Sequence, residues 1–279
     1  MEVLWDYRVV LDLFLGGVGI GTFLFGTILY YVDPQKYECI VRKSWIVSPF
    51  FIIIGLILLL TELGRPENIL KAIFNTNISS VMSIGMFLQG ICVLLMVLMV
   101  IKLLSSKVLD ISKTLIYLTS AFAGLVGIYH GFLLTGIVRT AWTDSIPSIF
   151  FISSILAGAS LVILISLNNE VFNDFSNKLK LPAIFNFVLT LQVIAIFSWV
   201  YSLAIKGAQS KVVYNELMST FGAEFWLFII VGIVIPLAIF TMMLIKKVDS
   251  KAMFTTATIC IIAGSFFIKH IVIYLGQMV

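Results

Sequence analysis

The sequence predicts an all-α integral membrane protein with eight transmembrane helices, arranged as two four-helix bundles. Hydrophobic residues make up 61% of the 279 residues, and charged residues only 11%. A soluble domain carries about 25% charged residues, so this protein has too few polar side chains to cover a surface in water. Its apolar residues occur in long runs, and about 20 of them in a helix span the hydrocarbon core. A helix also satisfies every backbone polar group within lipid.

Eight apolar runs predict the spans, in order: 8–31, 44–63, 79–104, 114–138, 147–168, 182–206, 222–245 and 252–275. Turn-forming residues separate them, including Asp33-Pro34, Gly64-Arg65-Pro66, Asp144 to Pro147, and Asn168-Asn169. No connection is long enough for an extramembrane domain, so we expect one membrane domain over 1–279. Residues 15–17 and 156–158 have similar sequences, which suggests that the protein consists of two halves, 1–140 and 141–279. Any catalytic redox centre would then lie on another polypeptide.

Small residues in the first and fourth spans predict close contacts between helices. Gly17 and Gly21 are four residues apart, as are Gly127 and Gly131, and this spacing lets helix backbones approach each other. The same glycines could equally bring backbone close to a flat ligand. Pro236 in the seventh span is expected to kink that helix or to leave a carbonyl unpaired, because proline has no N–H.

Lysine and arginine are distributed unequally between the two sides of the predicted bundle. Eleven lie in the odd-numbered connections: Lys36, Arg42, Lys43, Lys102, Lys107, Lys113, Lys178, Lys180, Lys246, Lys247 and Lys251. Six lie on the other side: Arg8, Arg65, Lys71, Arg139, Lys206 and Lys211. Cytoplasmic loops carry the excess of positive charge, so both termini are predicted to face outward. No cleaved secretion signal is expected, because residues 1–6 carry no basic segment before the first run.

The remaining composition argues against several classes of function. The net charge of +4 is scattered, and the sequence has no lysine or arginine run of the kind that binds nucleic acid. Cys39, Cys92 and Cys260 are far apart in the sequence. We therefore expect no iron–sulfur cluster and no structural zinc held by this protein alone.

Several polar side chains fall within the predicted spans, all toward the outer surface. They are Asp12, Glu62, Tyr129, His130, Glu224, Lys269, His270 and Tyr274. Ionisable residues inside a membrane are costly and are functional by default. Their one-sided distribution predicts a single polar site near the outer surface. An interfacial position would explain Glu62, Glu224 and Arg139 equally well, and a structural ion pair would explain Asp12 and Lys269.

A quinone head group suits these side chains, because its two carbonyl oxygens accept hydrogen bonds and its redox chemistry moves two protons. Tyr129 is a donor for a carbonyl. His130, Asp12 and Glu62 are candidates for proton transfer, since an imidazole titrates near neutrality. Two alternatives remain open. His130 and His270 could ligate one haem b, or Asp12, Glu62 and Lys269 could form the path of an ion transporter without a redox role.

The sequence resembles the NrfD-like family, the membrane subunits of polysulfide reductase and related molybdopterin-enzyme complexes. The stretches that carry the resemblance are residues 13–21, Leu63-Gly64-Arg65-Pro66, 79–85, 129–134, 147–158, 232–236 and 274–277. The resemblance implies eight spans in a prokaryotic cytoplasmic membrane, without haem. It also implies a pocket for menaquinone or another quinone near the outer face. Electrons would pass between that pocket and a ferredoxin-like iron–sulfur subunit docked outside, which connects to a molybdopterin catalytic subunit.

The resemblance also implies which residues form the quinone pocket. The pocket tyrosine of the family falls on Tyr129, and further pocket residues come from the outer part of the first span. There this sequence has Tyr7, Arg8 and Asp12, where relatives carry Asn or His. Lys269 and His270 complete the predicted pocket by their depth in the eighth span, and His130 is predicted on chemistry alone. The outer connections 64–78, 139–146 and 207–221 become the predicted docking surface.

Overall fold

The computed structural model describes residues 5–62, 80–106, 109–137, 139–246 and 250–278. These ranges are helical, and their helices are α1 Tyr7–Val32, α2 Glu38–Glu62, α3 Val81–Ser105, α4 Lys113–Thr135, α5 Ile146–Ser166, α6 Phe172–Leu179, α7 Leu181–Ile205, α8 Ala208–Ser219, α9 Gly222–Lys246 and α10 Lys251–Met278. Within these ranges, eight helices are long and apolar enough to cross a membrane, all except α6 and α8. The predicted all-α class with eight membrane-spanning helices is therefore confirmed.

The structure departs from the sequence prediction at several helix boundaries. The short helices α6 and α8 were not predicted, because each lies in a connection without a long apolar run. Helix α2 begins at Glu38, before the predicted span, because helix geometry continues past the apolar run, and Glu38 and Arg42 pair there at 3.4 Å. In α9, the irregularity expected at Pro236 takes the form of a π-helical segment, Phe228–Val234.

Both ends of the polypeptide meet at one face of the bundle, which we call the terminal face. The amide nitrogen of Trp5 donates to Oε1 of Gln277 at 2.7 Å, and Nε2 of Gln277 donates to the carbonyl of Trp5 at 3.1 Å. The Trp5 ring also stacks on Trp142, whose Nε1 donates to the carbonyl of Val272. With an even number of spans, the first and last helices have their outer ends on the same side of the membrane. That the terminal face is the outer one stays a prediction.

Helix α1 occupies the centre of the bundle and packs against α2, α4, α5 and α10. A side chain at Gly21 would overlap the backbone of α5 at Ser154 and Gly158. On α4, Gly131 packs in the same way on the backbone of Pro147. These contacts are the close approaches predicted from the small residues. They place α1 beside α5, so the first helices of the two predicted halves touch at glycine.

The buried apolar side chains form two clusters at different depths. One surrounds Trp142, Trp199 and Ile271 near the terminal face, and the other surrounds Trp45 and Phe240 toward the opposite face. Each cluster takes side chains from both predicted halves. The buried polar side chains described next lie at the depth of the cluster near the terminal face, which includes Val10 and Leu13 on either side of Asp12.

Candidate functional site

The adjacent residues Tyr129 and His130 of α4 are both buried but face different helices. The Tyr129 ring lies against Gly85 of α3, where a side chain would overlap it. His130 lies against Gly16 of α1, where an added Cβ would lie 2.9 Å from Cε1 of the imidazole. Successive residues of a helix point about 100° apart, so the pair faces two sides of one interface. The two ring centroids are 6.3 Å apart.

Lys269 of α10 is fully buried and points toward α1 and α5. Its Nζ donates to the hydroxyl of Ser154 at 3.1 Å. The ammonium also lies 5.9 Å from the centroid of Phe14 and 5.8 Å from that of Phe150. A side chain at Gly17 would overlap both Nζ and the Ser154 hydroxyl. This glycine of α1 therefore makes room for the cation.

Asp12 of α1 is 4% exposed and packs against Gly55 of α2. Its carboxyl group lies within electrostatic range of Lys269 and of the Tyr129 hydroxyl. No salt bridge joins Asp12 and Lys269 among the described residues, so the structural ion pair considered above is not a direct contact. Lys269 is in turn within electrostatic range of His130. One cation thus faces one carboxyl and one imidazole at the same depth.

Three buried polar atoms at this depth have no hydrogen-bond partner among the described residues. They are Oδ1 of Asp12 and both ring nitrogens of His130. Native proteins satisfy nearly all buried polar groups, and the exceptions call for an explanation such as a ligand or water. A head group with oxygen acceptors and exchangeable protons matches this set, because it offers both acceptors and donors. The residues present therefore fit a quinone.

The structure places the other predicted residues closer to the terminal face. Tyr7 is 62% exposed at the start of α1, and Glu62 ends α2 within electrostatic range of Asp6 and Arg8. Arg8 ties the two helix ends together by donating to the carbonyl of Thr61 at 2.6 Å. These residues are not brought into the buried group, and they lie between that group and the surface.

His270 also belongs to the terminal face rather than to the buried group. Its Nδ1 lies 3.1 Å from Oε2 of Glu224, and its ring lies 4.6 Å from that of Tyr274. Lys269 and His270 therefore face different neighbours, as Tyr129 and His130 do. The two imidazoles considered as alternative ligands of one haem b, His130 and His270, also contact different residues. Within the described ranges, no group of three or more His, Cys, Asp or Glu side chains could hold a metal ion.

Sequence reasoning missed the side chains and glycines that shape the site. Ser154 binds Lys269, and Gly55 and Gly85 make room for Asp12 and Tyr129. The adjacent serines in the fifth apolar run were a signal for a polar contact, but nothing in the sequence indicated which helix they face. Arg65, one of the basic residues assigned to the outer side, lies outside the described residues.

Two of the three predicted docking segments belong to the terminal face, and residues 64–78 lie outside the described ranges. In the connection 139–146, the carbonyl of Ala141 accepts from Nε1 of Trp199 at 2.9 Å. In the connection 207–221, helix α8 buries Val213 and Leu217 against the bundle. Its other side is exposed at Lys211 and Val212. At the terminal face, both segments are therefore anchored to the bundle, and α8 leaves one side exposed.

The fold and the site define a class: a polytopic helical membrane protein with a polar site buried beneath one face of its bundle. The family profile described as "Polysulphide reductase, NrfD" matches residues 1–279. The protein belongs to this family, whose members are membrane subunits of bacterial redox complexes, and it is a multi-pass protein of the bacterial inner membrane.

Curated relatives match along nearly their whole length. The sequence is 23% identical to "Protein NrfD" of Escherichia coli (strain K12), over 99% of its own length and 96% of that protein. It is 24% identical to the C subunit of the polysulfide reductase of Wolinella succinogenes, over 99% of its own length and 95% of that protein. The resemblance stated from the sequence is confirmed.

Proposed function

We propose that this protein binds a quinone, menaquinone or a related one, at the buried polar group, and that it exchanges electrons with a docked iron–sulfur subunit. The observation that carries the proposal is the set of unpartnered buried atoms on Asp12 and His130 at one depth of the bundle, beside the Tyr129 ring. A quinone supplies two oxygen acceptors and a two-electron, two-proton redox couple. Family membership supports a redox role over a transporter that uses the same residues.

In this proposal, Tyr129 orients the head group. Its phenol is a hydrogen-bond donor, and its hydroxyl lies within electrostatic range of Asp12. The close packing of the ring on Gly85 fixes its direction. A donor held in place by packing costs little reorganisation when it binds an oxygen.

Asp12 and His130 would hold and pass the protons. Both are buried, so neither exchanges protons directly with water. Lys269 lies within electrostatic range of both. A proton leaving Asp12 would move toward Glu62, whose carboxyl lies near Asp6 and Arg8 at the terminal face. Glu62 is therefore the proposed exit.

The terminal face would receive the iron–sulfur subunit, with the molybdopterin catalytic subunit beyond it. The connection 139–146 and helix α8 would form this docking surface. The name of the Wolinella succinogenes relative marks that protein as one component of a polysulfide reductase, which supports a comparable arrangement here. Docking at this face would place an iron–sulfur cluster close to the buried polar group.

Tyr129→Phe tests the proposal, because it removes one hydroxyl and leaves the ring that packs on Gly85. We expect quinol-linked electron transfer by the assembled complex to fall by at least about 100-fold, with assembly unchanged. The assay is turnover with a soluble quinol analogue in the purified complex.

Tyr117→Phe is the matched control. Tyr117 lies on the same helix, roughly 18 Å along its axis from Tyr129, and it is 59% exposed and stacks on Tyr31. We expect this variant to keep full turnover. Normal turnover in Tyr129→Phe would contradict the proposed site.

A further inference from the structure

A second group of unpartnered polar atoms lies among α5, α7, α9 and α10. Gln192 of α7 is 2% exposed, and neither its amide oxygen nor its amide nitrogen has a partner among the described residues. The hydroxyl of Ser265 on α10 is 3% exposed and also unpartnered there. A buried amide without hydrogen bonds is costly. The Gln192 amide and the Ser265 hydroxyl therefore require a hydrogen-bonding molecule that fits the space between them.

The space between them is a small cavity that both side chains line, together with Ser153 of α5. Its volume is about 10 Å³, with walls otherwise formed by Leu156, Leu189, Phe228, Gly232, Ile233, Ile261, Gly264 and Ile268. A single water needs about this volume and two to four polar partners. Gln192 and Ser265 provide them. The cavity is too small for an organic ligand.

The π-helical segment Phe228–Val234 forms one wall of this cavity. Gly232 within the segment packs directly on Gly264, the residue before Ser265. π-helical turns are rare and are often found at functional sites. Here the wide turn contributes three wall residues, Phe228, Gly232 and Ile233, to the cavity that Gln192 also lines. The irregular helix and the unpartnered amide are thus two independent features of one place.

The cavity adjoins the Lys269 end of the candidate quinone site on two helices. Ser265 precedes Lys269 by four residues, so the two lie on one face of α10, about 6 Å apart along the axis. On α5, Ser153 lines the cavity, and the next residue, Ser154, accepts the hydrogen bond from Nζ. The cavity and the ammonium are therefore one helical turn apart.

We propose that Gln192 and Ser265 bind one buried water molecule, and that this water exchanges protons with the Lys269 ammonium. The Ser154 hydroxyl donates to the Phe150 carbonyl at 2.7 Å in the resting structure. In the proposed step, the ammonium gives one proton to this hydroxyl, whose own proton turns away from the carbonyl and passes to the water. Lys269 is left as the neutral amine, and the excess proton is held on the water by the Gln192 carbonyl. The reverse steps restore the ammonium, so no oxidant or reductant is required. The water site stands alone, and its role in turnover rests on the proposed function.

The water itself is tested by a structure of the purified complex at a resolution that shows ordered solvent. We expect a peak within roughly 3.2 Å of both the Gln192 amide and the Ser265 hydroxyl. An empty cavity, or a Gln192 amide bonded to protein atoms instead, would overturn the proposal. In Gln192→Leu the peak should disappear, and in Gln192→Glu it should remain, because a carboxylate still accepts from water.

Turnover of the same variants tests the proton exchange. We expect Gln192→Leu to slow quinol-linked turnover by about tenfold, Ser265→Ala to slow it less, and Gln192→Glu to restore it. The slow variants should show a larger D₂O effect than the unchanged protein, which a merely structural defect would not produce. Unchanged turnover and D₂O effect in Gln192→Leu would overturn the role in proton exchange.

Asn186→Leu is the matched control. It replaces another amide of α7, which does not line the cavity. The Nδ2 of Asn186 donates to Oγ1 of Thr241 at 3.1 Å. This variant should keep the water peak and the D₂O effect. The two proposals fail separately. Normal turnover in Tyr129→Phe would contradict the quinone site but would leave the water peak in place. Loss of turnover in Tyr129→Phe together with unchanged turnover in Gln192→Leu would contradict only the proton exchange between the water and Lys269.

Discussion

Two regions of this molecule combine the same three functional groups, a carboxyl, a lysine ammonium and a phenol, in opposite ways. At the face away from the termini, Asp174 of α6 accepts from Lys36 at 2.7 Å and from the Tyr37 hydroxyl at 2.6 Å. Beneath the terminal face, Asp12, Lys269 and Tyr129 lie within electrostatic range but make no contact with one another among the described residues.

The two clusters differ in whether their polar groups are satisfied, and this difference indicates a separate role for each. The Asp174 cluster is closed: its groups satisfy each other, and it joins the connection after α1 to α6. The Asp12 cluster is open, because Oδ1 of Asp12 has no partner in the part of the protein that the structure describes. Leaving such groups unsatisfied in a buried place is costly, so a cluster that keeps them apart is suited to a ligand rather than to stability.

The largest expected effect contrasts the two lysines. Lys269→Met removes the cation that faces Asp12 and His130, and we expect quinol-linked turnover to fall by at least about 100-fold. Lys36→Met removes an exposed ion pair, which contributes little, so turnover should be unchanged. Turnover of the purified complexes measures both. Equal turnover in the two variants would remove the functional distinction between the clusters.

The second contrast exchanges the two carboxyl groups for amides. Asp12→Asn keeps the size of the side chain but cannot exchange a proton, so we expect turnover to fall by about tenfold or more. Asp174→Asn should leave turnover unchanged. The comparison is sharpened by measuring turnover against pH, since Asp12→Asn should change the shape of the profile and Asp174→Asn should not. An unchanged profile in Asp12→Asn would assign proton transfer to His130.

A smaller effect concerns stability rather than activity. Tyr37 is fully buried and donates to Asp174, so Tyr37→Phe should lower the free energy of unfolding by about 1 kcal/mol. Unfolding in detergent mixtures measures this loss, and turnover should stay normal. Tyr129→Phe, assayed in parallel, should show the reverse pattern, because its hydroxyl makes no such bond. A stability loss in both variants would mean that both hydroxyls are structural.

The smallest expected effect is a pH dependence. The hydrogen bonds from Lys36 and Tyr37 hold the pKa of the Asp174 carboxyl below its usual range. A carboxyl whose pKa is lowered by folding stabilises the protein above its unfolded pKa, about 3.9, and this contribution is lost as the pH falls through the lower folded value. Unfolding midpoints should therefore decline slightly below about pH 4. In Asp174→Asn that slope should be shallower, and an identical slope would contradict the assignment.

The sequence predicted the elements of the fold because their signals are local. Each span is a continuous apolar run, and the small residues at Gly21 and Gly131 indicated where helices approach closely. The sequence also identified most of the ionisable residues of the candidate site, since an ionisable residue in an apolar run is conspicuous. It did not predict α6 and α8, because short helices in polar connections have no comparable pattern.

By itself, the sequence determined that this is an eight-span membrane protein and that Asp12, Tyr129, His130 and Lys269 are unusual within it. Only the tertiary structure decided which side chains meet. Adjacent residues of a helix diverge by about 100°, so His130 faces α1 while Tyr129 faces α3, and Lys269 enters the buried group while His270 does not. These directions depend on how α1 packs against glycines and serines of other helices, which no single apolar run encodes.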